Sequence, residues 1–152
     1  MNLWCERPMT PWHVKASPVH GLGVFARKFI PQGAIWWAGK REEVIEITRR
    51  QYEVLRDSRP SRMIEDIHEH AYYEAASDRL LYICNNGRYI NHSSTPNVAM
   101  SGDALTSIAL RDIDRGEELF EDYRTYDICP WANLWGEFGK QLGVWRVPHA
   151  YW

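Results

Sequence analysis

The alternation of apolar and polar positions divides this chain into short strands before any single residue is considered. Residues 12–16 (WHVKA) and 22–26 (LGVFA) read as strands joined by a Ser17-Pro18 turn and a Gly21/Gly23 bend. Pro31-Gln32-Gly33 is turn chemistry, and 34–38 (AIWWA) is a buried strand. From residue 42 to 56 the period becomes helical, with Ile45, Thr48, Tyr52 and Leu55 on one face and Arg59-Pro60 as the stop. Met63, Ile64, Ile67 and Ala71 suggest a second helical stretch within 62–76. Segments 80–84, 98–100, 105–110 and 117–121 are short strands with turns between them. The pattern predicts a mainly β domain of short strands with one helical insertion at about 42–76.

Composition narrows the function classes. At 152 residues and 45% hydrophobic content, the chain fits one domain with a core of its own. Eighteen basic against 20 acidic residues give a net charge of −2, which offers no footprint for direct nucleic-acid binding but suits a basic peptide. Cys5, Cys84 and Cys129 are few and lack CxxC spacing, so they read as free thiols in a reducing compartment with no zinc cluster. The N-terminus has no basic-then-apolar signal and no run approaches a membrane span, so a soluble, cytoplasmic protein is expected. Of eight tryptophans, Trp131, Trp135, Trp145 and Trp152 crowd the end of the chain. That aromatic mass would pack on the core or a partner subunit, or cover a flat ligand.

Three segments carry candidate chemistry. HGLGVFA (20–26) sets two glycines around one apolar residue; glycine permits positive φ and lets backbone amides approach a ligand, although a hairpin turn needs the same residues. RYINHSSTPN (88–97) ends a short apolar strand in Asn91 and His92, as an Asx-type turn or as a ligand-facing amide. GEELFEDY (116–123) ends an acidic strand in Tyr123. No serine has the flanking glycines of a nucleophile elbow. His68 and His70, two apart, would split across a helix, so no metal site is expected.

In this order the three segments resemble the SET domain of protein methyltransferases. The family pattern GxGxFA matches Gly21 to Ala26, RFINHSCxPN matches Arg88 to Asn97 with Tyr89 for Phe and Ser94 for Cys, and GEELxxDY matches Gly116 to Tyr123. The resemblance covers about residues 12–126, with 127–152 as a Trp-rich C-terminal segment. It implies a β-clip-type fold of small, mostly antiparallel sheets with a C-terminal pseudoknot, in which the last motif threads a loop and brings Asn91 and Tyr123 into one site. It further implies S-adenosylmethionine (SAM) as cofactor, with S-adenosylhomocysteine as product. The cofactor would be held by His20, Gly21, Leu22 and Gly23, and by Arg88, Asn91, His92 and Tyr123. A lysine of a protein or peptide substrate with basic residues would enter a narrow aromatic channel. Tyr123 would orient the amine, and a dry channel would help that amine lose its proton.

The chain departs from the family in three places. The zinc-binding cysteines that often follow the last motif are missing; Trp131 or Trp135 stands there and would stack on the adenine. Trp37 takes the place of a tyrosine in the early strand and would wall the channel without a hydroxyl, or serve as plain core. Glu121 occupies a position where an aromatic is usual. It would lie near the target amine and stabilise its protonated form, or turn outward to bind basic substrate residues. The resemblance thus implies a SAM-dependent protein-lysine N-methyltransferase; the alternatives are methylation of another side chain such as histidine, and a SET-fold module that binds SAM or peptide without turnover. The architecture resembles minimal bacterial or viral members, some of which pair as homodimers.

Overall fold

A computed structural model describes residues 10–58 and 62–148, in which the chain divides into two compact units. The first comprises Met1–Ala38 and Tyr89–Glu121, the second Gly39–Arg88 and Asp122–Trp152. Cys5, the Arg59-Pro60 stop and Trp152 lie outside the described residues.

In the first unit, β1 (Trp12–Ala16) and β2 (Leu22–Ala26) form the expected antiparallel pair, in register from Trp12↔Ala26 to Ala16↔Leu22. Their connection is shaped locally. Ser17 N–H donates to Gly21 O (2.8 Å), Ser17 Oγ accepts from Val19 N (3.0 Å), and Gly21 takes a φ of 46° that other residues resist. β3 (Ile35–Ala38), β7 (Asn91–His92), β8 (Val98–Met100), β9 (Thr106–Ala109) and β10 (Glu118–Glu121) complete this unit. They build one sheet of order β1-β2-β10-β7 and another of order β3-β9-β8. β10 runs antiparallel to β2 and parallel to β7, with Phe120 opposite Asn91 and Glu121 opposite His92. Residues of the second and third motifs therefore lie side by side. Val24, Ile30, Val98, Ile113 and Leu119, none more than 2% exposed, form the core.

The second unit holds β4 (Val44–Thr48), α1 (Arg49–Asp57), α2 (Arg62–His70), β5 (Ala71–Glu74) and β6 (Arg79–Ile83), the strands ordered β4-β6-β5. The helical reading of 42–56 is corrected here, because its first half is a strand. Val44, Ile45, Ile47 and Thr48 are β-branched, lose χ1 freedom in a helix, and pair with β6 from Val44↔Ile83 to Thr48↔Arg79. The helix begins only where Thr48 caps it: Thr48 Oγ1 accepts from Gln51 N (3.2 Å) while Gln51 Oε1 accepts from Thr48 N (2.8 Å). The supposed common face is therefore split, with Ile45 exposed and Tyr52 buried. The second helical stretch likewise stops at His70, and Ala71 opens β5. The insertion thus carries two strands and two α-helices, its strands β4 and β5 flanking β6 just beyond it. The core of this unit is Ile47, Tyr52, Ile67, Ala71 and Leu80, joined by Trp131 and Leu134 from the C-terminal segment, which also holds α3 (Gly136–Gln141). Each fully buried large apolar side chain there contributes about 1.5–3 kcal/mol relative to exposure. No helix among the described residues is long and apolar enough to cross a membrane.

Candidate active site

The first unit gathers the glycine bend and the Asn-His strand around one side-chain amide. Asn91, only 8% exposed, is aimed by its place on β7 at the β1–β2 connection. Its Nδ2 lies 3.0 Å from His20 O, 3.0 Å from Leu22 O and 2.9 Å from Glu118 Oε1. Its Oδ1 accepts no hydrogen bond from the described residues. Glu118 is tied down a second time by Ser17 Oγ, which donates to Oε2 at 2.9 Å. Gly23 is required here by space, because a Cβ would sit 2.2 Å from Glu118 Oε1 and 3.0 Å from Ser17 Cβ. His20, Gly21 and Leu22 are exposed, so this acceptor-rich corner opens to solvent. Its two carbonyls, its carboxylate and the amide oxygen suit a cationic amino-acid end such as the ammonium of SAM. The residues present fit that group.

Sequence reasoning missed two members of the corner. Ser17 reads as turn chemistry and Glu118 only as part of an acidic strand, yet each holds the other across 101 residues. His92 is half-buried beside Glu121 in the β7–β10 ladder.

Glu121 is not turned outward. β10 alternates, so Leu119 and Glu121 share its buried face, and Glu121 is 2% exposed with Oε1 2.6 Å from Ser107 Oγ. Burial pushes its carboxyl up to about 7, although the Ser107 contact pulls the other way. The reading of Glu121 as a surface anchor for basic substrate residues is therefore withdrawn. Trp37 is buried in the same unit, its ring tilted against Trp36 with centroids 6.5 Å apart. An irregularity of register between Ile35 and Trp37 lets both neighbouring indoles face inward.

In the second unit Tyr123 opens a 3-10 turn and enters an aromatic cluster. Its ring centroid lies 4.9 Å from Trp135, 5.7 Å from Tyr126 in a stacked pair, and 6.2 Å from Phe138 edge-on. Trp135 has a left-handed backbone (φ 63°), unusual for a bulky residue, held by donation from its N–H to His68 O (2.6 Å). Trp131, by contrast, is core. It is 7% exposed, packed by Tyr52 and Tyr73 at 5.5 and 5.9 Å, and its Nε1 donates to Asp78 Oδ1 (2.8 Å). An enclosed ring cannot serve as a stacking platform, so the expectation for Trp131 is corrected and Trp135 alone keeps that part. The indole and the Tyr73 hydroxyl hold the Asp78 carboxyl below the usual carboxylate range.

Arg88 also belongs to the second unit, where its guanidinium donates to Tyr82 Oη (3.0 Å) and lies 3.7 Å from Asp66. His68 bonds Tyr52 Oη (2.8 Å), and burial pushes its imidazole down to about 4, so it is neutral at physiological pH. No group of three or more His, Cys, Asp or Glu among the described residues could hold a metal ion. Cys84 and Cys129 are free thiols, and burial pushes Cys129 up to about 11.

Comparison with known proteins gives one consistent result. The SET domain family model matches residues 21–124. Over 115 residues the chain is 34% identical to the mouse histone-lysine N-methyltransferase SETMAR, a match covering 68% of this chain and 37% of the mouse protein. It is 32% identical over 124 residues to the H3 lysine-4 specific histone-lysine N-methyltransferase of Aspergillus oryzae, covering 75% of this chain and 10% of that protein. The chain thus spans little more than a third of the mouse relative it matches. Among solved structures, the Neurospora SET domain protein DIM-5 superposes with a TM-score of 0.54 at 21% identity, covering 76% of this chain and 52% of its own. The ctPRC2 complex bound to S-adenosylmethionine gives 0.57 at 20% identity, covering 88% and 16%. The small sheets, the adjoining second and third motifs and a family match beginning at the glycine bend agree, and the chain belongs to the SET domain family.

Proposed function

We propose that this chain is a SAM-dependent protein-lysine N-methyltransferase. The observation that carries the reading is the amide of Asn91 fastened to the His20 and Leu22 carbonyls, which makes two distant motifs one corner suited to a cationic amino acid. The curated relatives, histone-lysine N-methyltransferases by name, support lysine as the acceptor. When bound, SAM supplies a methyl group made electrophilic by its sulfonium.

This chain's own residues do the rest. The carbonyls of His20 and Leu22, with Asn91 Oδ1, accept hydrogen bonds from the cofactor's ammonium, and Glu118 supplies the opposite charge. Tyr123, which closes the third motif, orients the amine through its hydroxyl, and the Trp135 ring covers an apolar or flat part of a ligand. A lysine with an ordinary pKa of about 10.4 must shed its proton before it can attack, and aromatic walls that exclude water favour the neutral amine. The peptide carrying that lysine is basic, in keeping with the chain's net charge of −2.

The test is incubation with labelled SAM and a mixture of basic peptides, followed by mass-spectrometric mapping of the methylated residue. Lysine methylation is expected, with Tyr123→Phe lowering kcat on the order of 100-fold while SAM affinity holds within about twofold. Full activity in both Tyr123→Phe and Asn91→Ala would overturn the assignment.

A further inference from the structure

Three contacts converge on one hydroxyl in the first unit. Ser107 Oγ lies 2.7 Å from Trp36 Nε1, 3.2 Å from Ala99 O and 2.6 Å from Glu121 Oε1. Two of these partners have fixed roles, since an indole N–H can only donate and a carbonyl can only accept. Ser107 brings one proton and two lone pairs. If that proton goes to Ala99 O, one lone pair takes Trp36 and the other is left for Glu121. All three contacts are then hydrogen bonds, provided that the Glu121 carboxyl carries a proton and donates it. In the ionised alternative, Glu121 and Ala99 compete for a single proton, and a carboxylate only 2% exposed keeps at most one donor.

The surroundings favour the neutral form. β2, β3, β8 and β9 bring no titratable side chain to this region. β10 itself adds only Glu118, another acid, and β7 sets His92 opposite Glu121. Burial moves the carboxyl in the same direction as the proton count.

This hydrogen bond joins two sheets. Glu121 belongs to the sheet of order β1-β2-β10-β7, while Ser107 and Trp36 belong to that of order β3-β9-β8. Beside it, Ser93 N–H donates to Glu121 O (3.0 Å), and Asn91 pairs with Phe120. We propose that Glu121 is a positioning residue acting as a neutral acid: its proton, donated to Ser107, pins β10 and the Asn91 strand to the three-stranded sheet. Loss of that proton loosens the grip of Asn91 on residues 20–22. The inference deepens the proposed function and rests on it only for the cofactor measurement below.

The experiment has two arms, each run on wild type, Glu121→Gln and Glu121→Leu. In the first, urea unfolding is followed from about pH 5 to about pH 9. A group with a folded pKa near 7 and an ordinary value of 4.5 gives stability that is whole below about 4.5 and lost as pH rises through about 7. Buried His68, pushed down to about 4, adds a slope of opposite sign to all three proteins, so the Glu121 contribution is read as a difference. Across that window the wild-type midpoint should fall relative to Glu121→Gln, whose amide donates to Ser107 at every pH; Glu121→Leu, with no donor, should lie below Glu121→Gln throughout. A wild type that runs parallel to the Gln variant overturns the proton assignment. The second arm measures SAM binding by calorimetry at about pH 6 and about pH 8.5. The ammonium of SAM titrates alike in both measurements, so the wild-type Kd should weaken at least about threefold more than that of the Gln variant, which also separates Glu121 from His92. Equal pH dependence in the two proteins overturns the positioning role. Absence of SAM binding everywhere overturns the cofactor reading together with the coupling, and the unfolding arm still decides where the proton sits.

Discussion

Asn91 and Trp131 sit at the centres of two different kinds of construction. Asn91 is surrounded by polar atoms and works through hydrogen bonds to two backbone carbonyls and Glu118. Trp131 is surrounded by rings and works through enclosure, with one polar anchor at Asp78. The first shapes an open corner; the second fills a closed one. Replacing Asn91 should therefore be felt in binding before stability, and replacing Trp131 in stability before binding.

The largest expected effect is Trp131→Ala, which empties the space between Tyr52 and Tyr73 and should destabilise by about 3–5 kcal/mol in urea unfolding. Asn91→Ala should instead weaken SAM binding by about 10- to 100-fold in calorimetry, with an unfolding midpoint close to wild type. If Trp131→Ala lost SAM affinity without losing stability, the two constructions would not be distinct. Trp135 provides a finer cut. Its left-handed backbone strains any residue with a Cβ, so Trp135→Gly should be about 1 kcal/mol more stable than Trp135→Ala. The smallest effect is expected at the β4–α1 handover, where Thr48→Ala removes a cap worth about 1 kcal/mol and leaves SAM affinity unchanged.

The same contrast explains what could be read in the chain. Asn91 was legible because its strand and the glycine bend each carry a recognisable pattern. Ser17 and Glu118 were not, because their partnership spans 101 residues and neither type is unusual where it stands. Glu121 was half legible: strict alternation along β10 puts it on the face of Leu119, and that signal alone predicts burial. β4 was missed because Ile45, Thr48, Tyr52 and Leu55 fit a helical period while Val44 to Thr48 also fit a strand, and pairing with β6 decided between them. Trp131 and Trp135 looked equivalent. The left-handed turn at Trp135 gives the two rings different neighbours, and local composition carries no trace of it.

The three acceptors around Asn91 Nδ2 have a consequence of their own. An amide nitrogen has two protons, so in every arrangement His20 O, Leu22 O or Glu118 Oε1 must share or go short. The corner runs a permanent deficit of donors. A molecule arriving with N–H groups settles that deficit without displacing anything, whereas a carboxylate or phosphate would deepen it. Selectivity for cations is in this way written into the arithmetic of protons and lone pairs before any ligand arrives. Deamidation of Asn91 to aspartate would remove both protons, add a negative charge and deepen that deficit at its source.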